Sequence, residues 1–94
     1  MRRSFQRIPD PPGMTTKEIH SLLRRYIKMI NPRSPGGLSA ESYFKSDWQL
    51  DSLDLVEFVA RIEQKFKIMI PDEDLPQLVS LAATERYIRA RLFR

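Results

Sequence analysis

The chain of 94 residues contains no cysteine and a single histidine, His20. The first absence excludes disulfides, thiolate metal sites and any thiol of the chain's own. The second argues against a histidine metal cluster, and against a catalytic triad, since only one imidazole could serve in it. No apolar run approaches the length that spans a bilayer, so a transmembrane segment is not expected. The three glycines are too few for a flexible low-complexity chain, and at this length one domain with a thin core is the upper bound.

Charge is plentiful but segregated. Residues 1–34 carry eight Lys/Arg and two Asp/Glu, residues 35–50 one and two, residues 51–74 three and seven, and residues 75–94 four and one. An acidic middle therefore lies between two basic ends, within a net charge of +4. A uniformly basic face would point to nucleic acid. Arg2, Arg3, Arg7, Arg24, Arg25 and Arg33 raise that reading, but the acidic middle repels phosphate and no direct nucleic-acid binding is expected. A segregated surface instead implies a distinct electrostatic partner for each region.

Residues 1–14 read as a basic tail and residues 15–94 as the folded domain. The opening MRRSFQRI is Arg-rich and acid-free, which suits either the remnant of a mitochondrial targeting segment or a plain basic tail. Thr15-Thr16-Lys17-Glu18 then fits a capping box, and Ile19, Leu22, Leu23, Tyr26, Ile27 and Ile30 recur with the helical period until Pro32 stops it. His20 lies outside that stripe and is expected to be exposed. A long loop follows, with Tyr43, Phe44 and Trp48 as expected anchors into the core.

A second helix begins near Ser52, with Leu55, Phe58, Val59, Ile62 and Phe66 inward and Leu53 and Val56 widening the stripe. Ile68-Met69-Ile70 is short and extended, a strand without an evident partner. Asp72 to Leu78 suits one short helical turn with Pro76 near its start. Ser80 caps a last helix with Leu81, Thr84, Ile88 and Leu92 inward and arginines toward its C-terminus. The expectation is an all-α bundle of three main helices plus one short helix, with a long loop between helices one and two.

Asp51-Ser52-Leu53-Asp54 carries the chemistry. A serine at a helix start is ordinarily an N-cap. It is also a favourable place for a phosphate, because unpaired backbone amides and the positive end of the helix dipole meet there. The wider pattern decides between the two. Residues 50–57, Leu-Asp-Ser-Leu-Asp-Leu-Val-Glu, closely resemble the attachment motif of acyl carrier proteins. Ile62-Glu63, Phe66, Ile70-Pro71-Asp72-Glu73-Asp74 and Tyr87-Ile88 follow in that family's order. Pro11-Pro12, the Thr-led first helix and the approach from Phe44 to Trp48 look like the mitochondrial branch.

The resemblance implies a carrier rather than an enzyme, with no catalytic residue and no metal. A separate phosphopantetheinyl transferase would join 4'-phosphopantetheine to Ser52, flanked by Asp51 and Leu53. Acyl groups would ride on the arm as thioesters, folding back among Phe58, Val59, Ile62, Leu78 and Leu81. Partners would read Asp54, Glu57, Glu63, Asp72, Glu73 and Asp74. In the mitochondrial matrix, or on the matrix side of an inner-membrane complex, those partners would be fatty-acid synthesis enzymes and helical LYR-motif proteins. The alternative is a structural carrier subunit fixed in respiratory complex I or a mitochondrial ribosome. Five departures from the family stand out: Gln49 where glycine is usual, Trp48 where a smaller residue is common, Glu85 at an apolar position, Arg61, Gln64, Lys65 and Lys67 where the second helix is usually more acidic, and a net charge of +4 in a family that is mostly acidic.

Overall fold

The computed structural model describes residues 14–92. Most of the basic tail, residues 1–13, lies outside them, and so do residues 93–94. Three α-helices form: α1 (Thr16–Ile30), α2 (Ser52–Phe66) and α3 (Leu81–Leu92). A 3-10 helix, Asp72–Gln77, precedes α3. The all-α bundle expected from the sequence is therefore what the chain adopts.

Local chemistry sets each helix start. The Glu18 N–H donates to Thr15 Oγ1 at 3.1 Å, and the Thr15 N–H donates to Glu18 Oε1 at 2.9 Å. The same reciprocal box starts α2, where the Asp54 N–H donates to Asp51 Oδ1 at 2.8 Å and the Asp51 N–H to Asp54 Oδ2 at 3.2 Å. The cap of α2 is thus Asp51, and Ser52 is the first helical residue. Ser80 caps α3, its Oγ accepting from the Ala83 N–H at 3.1 Å.

The helices meet over one core. α1 packs on both α2 and α3, and the 3-10 helix packs on α3. Ile19, Leu23, Ile27, Phe58, Ile62, Leu81 and Ile88 are all essentially inaccessible. Phe44 and Trp48 join them as expected, and Phe44 meets Phe58 edge-to-face with ring centroids 5.2 Å apart. Tyr43 departs from expectation, since 59% of it is exposed. Its backbone supplies the anchor instead, through an isolated antiparallel bridge to Ser80. Beside it the Phe44 N–H donates to the Val79 carbonyl at 2.9 Å and the Ala82 N–H to the Ala40 carbonyl at 2.9 Å. The start of α3 is thereby pinned to the long loop. Arg24 fastens the same loop by donating to the Leu38 carbonyl at 2.6 Å and stacking over the Trp48 ring.

Other local expectations are corrected. Residues 68–70 form no strand, because the Ile70 N–H is taken by Glu63 Oε2 at 2.8 Å and Met69 points to solvent. Pro76 sits near the end of the 3-10 helix, not its start. His20 is half-buried against α3, with Nε2 3.6 Å from Glu85 Oε1.

Gln49, two residues before α2 caps itself, has φ +61°, and Lys67, which ends α2, has φ +59°. A Cβ is unfavourable in this left-handed region. Gln49→Gly is therefore expected to stabilise the fold by about 0.5–1 kcal/mol, read as a higher urea midpoint at unchanged slope.

Candidate functional site

The start of α2 and the chain around the 3-10 helix enclose an open, largely apolar cavity of about 730 Å³. Leu55, Val56, Phe58 and Val59 line it from α2. Leu75, Pro76, Leu78 and Val79 line the facing side, and Tyr43, Phe44, Lys45 and Ser46 close it from the loop. Ser52 and Asp72 stand on the polar part of the lining. Three aliphatic or aromatic side chains of this lining, Tyr43, Val56 and Val79, are more than two-fifths exposed. That much solvent-facing apolar surface around one hydroxyl suits an apolar ligand.

Ser52 is exposed, and its hydroxyl makes no hydrogen bond to a described residue. The reason is local: Asp51 caps the helix, so the serine oxygen is not needed for that duty. The N–H groups of Ser52 and Leu53 likewise have no acceptor among the described residues, as the first amides of a helix lack intrahelical partners. An oxygen at Ser52 with two unpaired amides beside it suits a phosphodiester.

The expected lining residues divide into two groups. Phe58, Val59 and Leu78 face the cavity. Ile62 and Leu81 do not reach it and lie wholly inaccessible in the core. Leu53 is 79% exposed and does not line it either. The sequence reading missed the apolar residues Tyr43, Phe44, Leu55, Val56, Leu75, Pro76 and Val79 as lining. Leu55 and Val56 were visible as members of the α2 stripe, but nothing in a loop has a period that would have flagged Tyr43 or Val79.

The acidic residues separate similarly. Asp51, Glu57, Asp72 and Glu73 are exposed around this end of the molecule, Glu57 in an i,i+4 ion pair with Arg61 at 3.2 Å. Three others are engaged inside the fold. Asp54 closes the α2 capping box and accepts a long bond from Asn31, and Glu63 holds the Ile70 N–H. Asp74 accepts from the Tyr87 hydroxyl at 2.6 Å and lies 3.6 Å from Arg91. Burial, and then the bond to Asp74, raises the Tyr87 hydroxyl above its ordinary pKa. This link ties the 3-10 helix to α3. Its contribution is complete below pH 10 and is lost as pH rises through the folded pKa. Tyr87→Phe is accordingly expected to lower stability by about 1 kcal/mol at neutral pH and to blunt the alkaline fall in the unfolding midpoint.

The arrangement suits a carrier: an exposed hydroxyl, an anion-favouring helix start and an apolar cavity beside it. His20 lies on α1 against Glu85 of α3, away from this lining. Comparison with known proteins agrees. Residues 18–88 match the family model described as "Phosphopantetheine attachment site". The chain is 32% identical over 77 residues to the meromycolate extension acyl carrier protein of Mycobacterium leprae (strain TN), covering 82% of this chain and 67% of that protein. It is 33% identical over 75 residues to the protein of that description from Mycolicibacterium smegmatis, covering 80% and 76%. It is 42% identical over 55 residues to the acyl carrier protein of Wolinella succinogenes, covering 58% and 72%. The chain belongs to the acyl carrier protein family, whose members are carriers rather than catalysts and bear a covalent 4'-phosphopantetheine group. These relatives are bacterial and carry no indication of a mitochondrial type.

Proposed function

We propose that Ser52 is the attachment residue and that an acyl chain rests in the cavity beside it. The observation that carries this reading is the exposed, unbonded Ser52 hydroxyl on the lining of an apolar cavity. When bound, the prosthetic group supplies the terminal thiol that holds an acyl group as a thioester. The chain's own residues do the rest. The Ser52 and Leu53 amides face the phosphodiester, and Phe44 and Phe58 give the acyl chain a rigid floor. Val59 and Leu78 exclude water from its sides. Asp51, Glu57, Asp72 and Glu73 orient basic partners toward the mouth, setting encounter rate and approach more than affinity. A transferase that loads Ser52 and enzymes of fatty-acid synthesis are the first such partners.

A mitochondrial setting, matrix or matrix side of an inner-membrane complex, is part of the proposal, as is capture of the acylated arm by LYR-motif helical proteins. The Arg-rich, acid-free opening and the mitochondrial look of the segment from Phe44 to Trp48 support it. Two relatives named for meromycolate extension favour a duty in lengthening acyl chains. A second reading, a carrier fixed in a large assembly such as respiratory complex I or a mitochondrial ribosome, draws on the internal engagement of Asp54, Glu63 and Asp74. That engagement leaves fewer acids to serve many partners.

Intact-mass measurement of the protein from its native source tests the core of the proposal. Expected is a polypeptide mass increased by phosphopantetheine plus an acyl group, and a bare mass for Ser52→Ala. An unmodified native chain would sink the attachment reading. Size fractionation of the same extract separates the circulating carrier from the fixed subunit.

A further inference from the structure

On α1 and the end of α2, away from Ser52, lies a second groove with a different character. It has a volume of about 600 Å³ and is lined by Met14, Lys17, Glu18, Ser21, Leu22, Arg25 and Lys65. Lys17, Ser21 and Arg25 stand at i, i+4 and i+8, so they form one row along α1. Lys65 faces them from the last turn of α2. None of the three cations has an ion pair or hydrogen bond to a described residue. The other basic residues of these two helices differ. Arg24 holds Leu38, Lys28 holds the Ser34 carbonyl at 3.2 Å, and Arg61 pairs with Glu57. The one acid in the groove, Glu18, has its carboxylate turned to the Thr15 N–H in the helix cap.

We propose that this groove docks an acidic, amphipathic helix of a partner protein. Unpaired like charges sharing a cleft repel one another, and a row of carboxylates at matching helical spacing relieves that repulsion. Three features select this occupant. Leu22 and Met14 give the groove a partly apolar floor, which suits an amphipathic helix. Among the described residues no aromatic lines it, and three cations are few, so a nucleic acid finds neither stacking surface nor phosphate track there. None of the large exposed apolar residues, Met29, Tyr43, Leu53, Val56, Met69 and Val79, lines it, so nothing there inserts into a lipid surface. Residues 1–13, with three arginines and one acid, share the groove's sign and offer it no electrostatic complement. The carrier would thus present opposite charge to two partners, acidic around Ser52 and basic here, and one partner need not leave for the other to act.

The inference is independent of what Ser52 carries, so it is tested on the full, unmodified chain. Amide spectra are recorded with a synthetic helical peptide bearing Glu at i, i+4 and i+8, with a single-stranded oligonucleotide, and with phosphatidylglycerol vesicles. Expected are peptide-induced shifts concentrated on residues 17–25 and 65, weakened by high salt. The combined variant Lys17→Gln, Arg25→Gln, Lys65→Gln should bind the peptide about tenfold more weakly, since each exposed pair is worth a fraction of a tenfold change. Its dispersed spectrum in the absence of peptide establishes that it folds, and single Gln variants replace it if it does not. No shifts in the groove, equal binding by the variant, or stronger shifts there from the oligonucleotide or the vesicles would overturn the proposal. Concentration-dependent dimerisation abolished by the variant would also overturn it, by giving the groove to a second copy.

Discussion

Phe58→Ala is expected to cost about 3–5 kcal/mol. The ring is 1% exposed, meets Phe44 edge-to-face and forms part of the cavity lining. Its loss removes apolar burial, removes the aromatic pair and joins the vacated space to an existing cavity that has no atoms to relax into it. A domain this small has about 5–10 kcal/mol of total stability, so the variant sits close to the unfolding threshold. Phe58→Leu keeps most of the volume and should cost about 1 kcal/mol. Urea unfolding measures both, and a loss under 1 kcal/mol for the alanine variant would show that the ring does not bear on the core. The cavity adds a functional readout. If an acyl chain occupies it, the loaded form should recover more stability in Phe58→Ala than in the parent, because binding to the folded state alone raises the unfolding midpoint.

Arg89→Met is expected to cost about 2–3 kcal/mol at neutral pH, through Glu85. That carboxylate is buried between α3 and α1. Burial raises its pKa, but hydrogen bonds from Arg89 and from the Thr16 hydroxyl at 3.0 Å outweigh burial, and the folded pKa falls below the ordinary value of 4.5. His20 adds a weaker attraction across the same interface. Removing Arg89 leaves a buried carboxylate with a neutral donor and an imidazole 3.6 Å away, and the desolvation cost then dominates. The pH dependence follows from the sign. A group whose folded pKa is depressed contributes stability above its unfolded pKa and loses it as pH falls through the folded value. The parent should therefore lose α1–α3 stability below about pH 4.5. The variant has less to lose, so the gap between them should narrow as the solution is acidified. A gap independent of pH would assign the cost of Arg89→Met to lost packing alone. Glu85→Leu, which restores an apolar residue at this position, should lose little at neutral pH and shed part of the acid sensitivity.

These two predictions rest on different kinds of information. Phe58 was placed in the core by periodicity: a helix repeats every 3.6 residues, so Leu55, Phe58, Ile62 and Phe66 can only share one face. The capping boxes at Thr15 and Asp51 were similarly local, since their donors and acceptors lie three residues apart. Identification of the attachment motif needed nothing beyond the order of residues 50–57 and of the segments after them. For these features the sequence by itself was sufficient, because short-range geometry leaves one solution.

Glu85 read only as an odd residue at an apolar position. Its partners Thr16 and His20 lie on another helix, and no local rule links positions 69 and 65 residues apart. The same holds for the acids. Glu63, Asp74 and Glu57 look alike in sequence, yet Glu63 caps the Ile70 amide, Asp74 holds Tyr87, and Glu57 stays at the surface. Ile62 and Val59 lie on one stripe, but only Val59 reaches the cavity, because a stripe is wider than the surface any one neighbour covers. Tyr43 and Val79 came to the cavity through a two-residue bridge that joins distant loops. The sequence thus determined which helices form, which faces they bury and which family motif the chain carries. Which acids stay free to meet a partner, which apolar residues line the cavity and which cations remain unpaired were decided only when the helices packed. Those properties depend on contacts between segments remote in the chain, where helical period and cap chemistry carry no information.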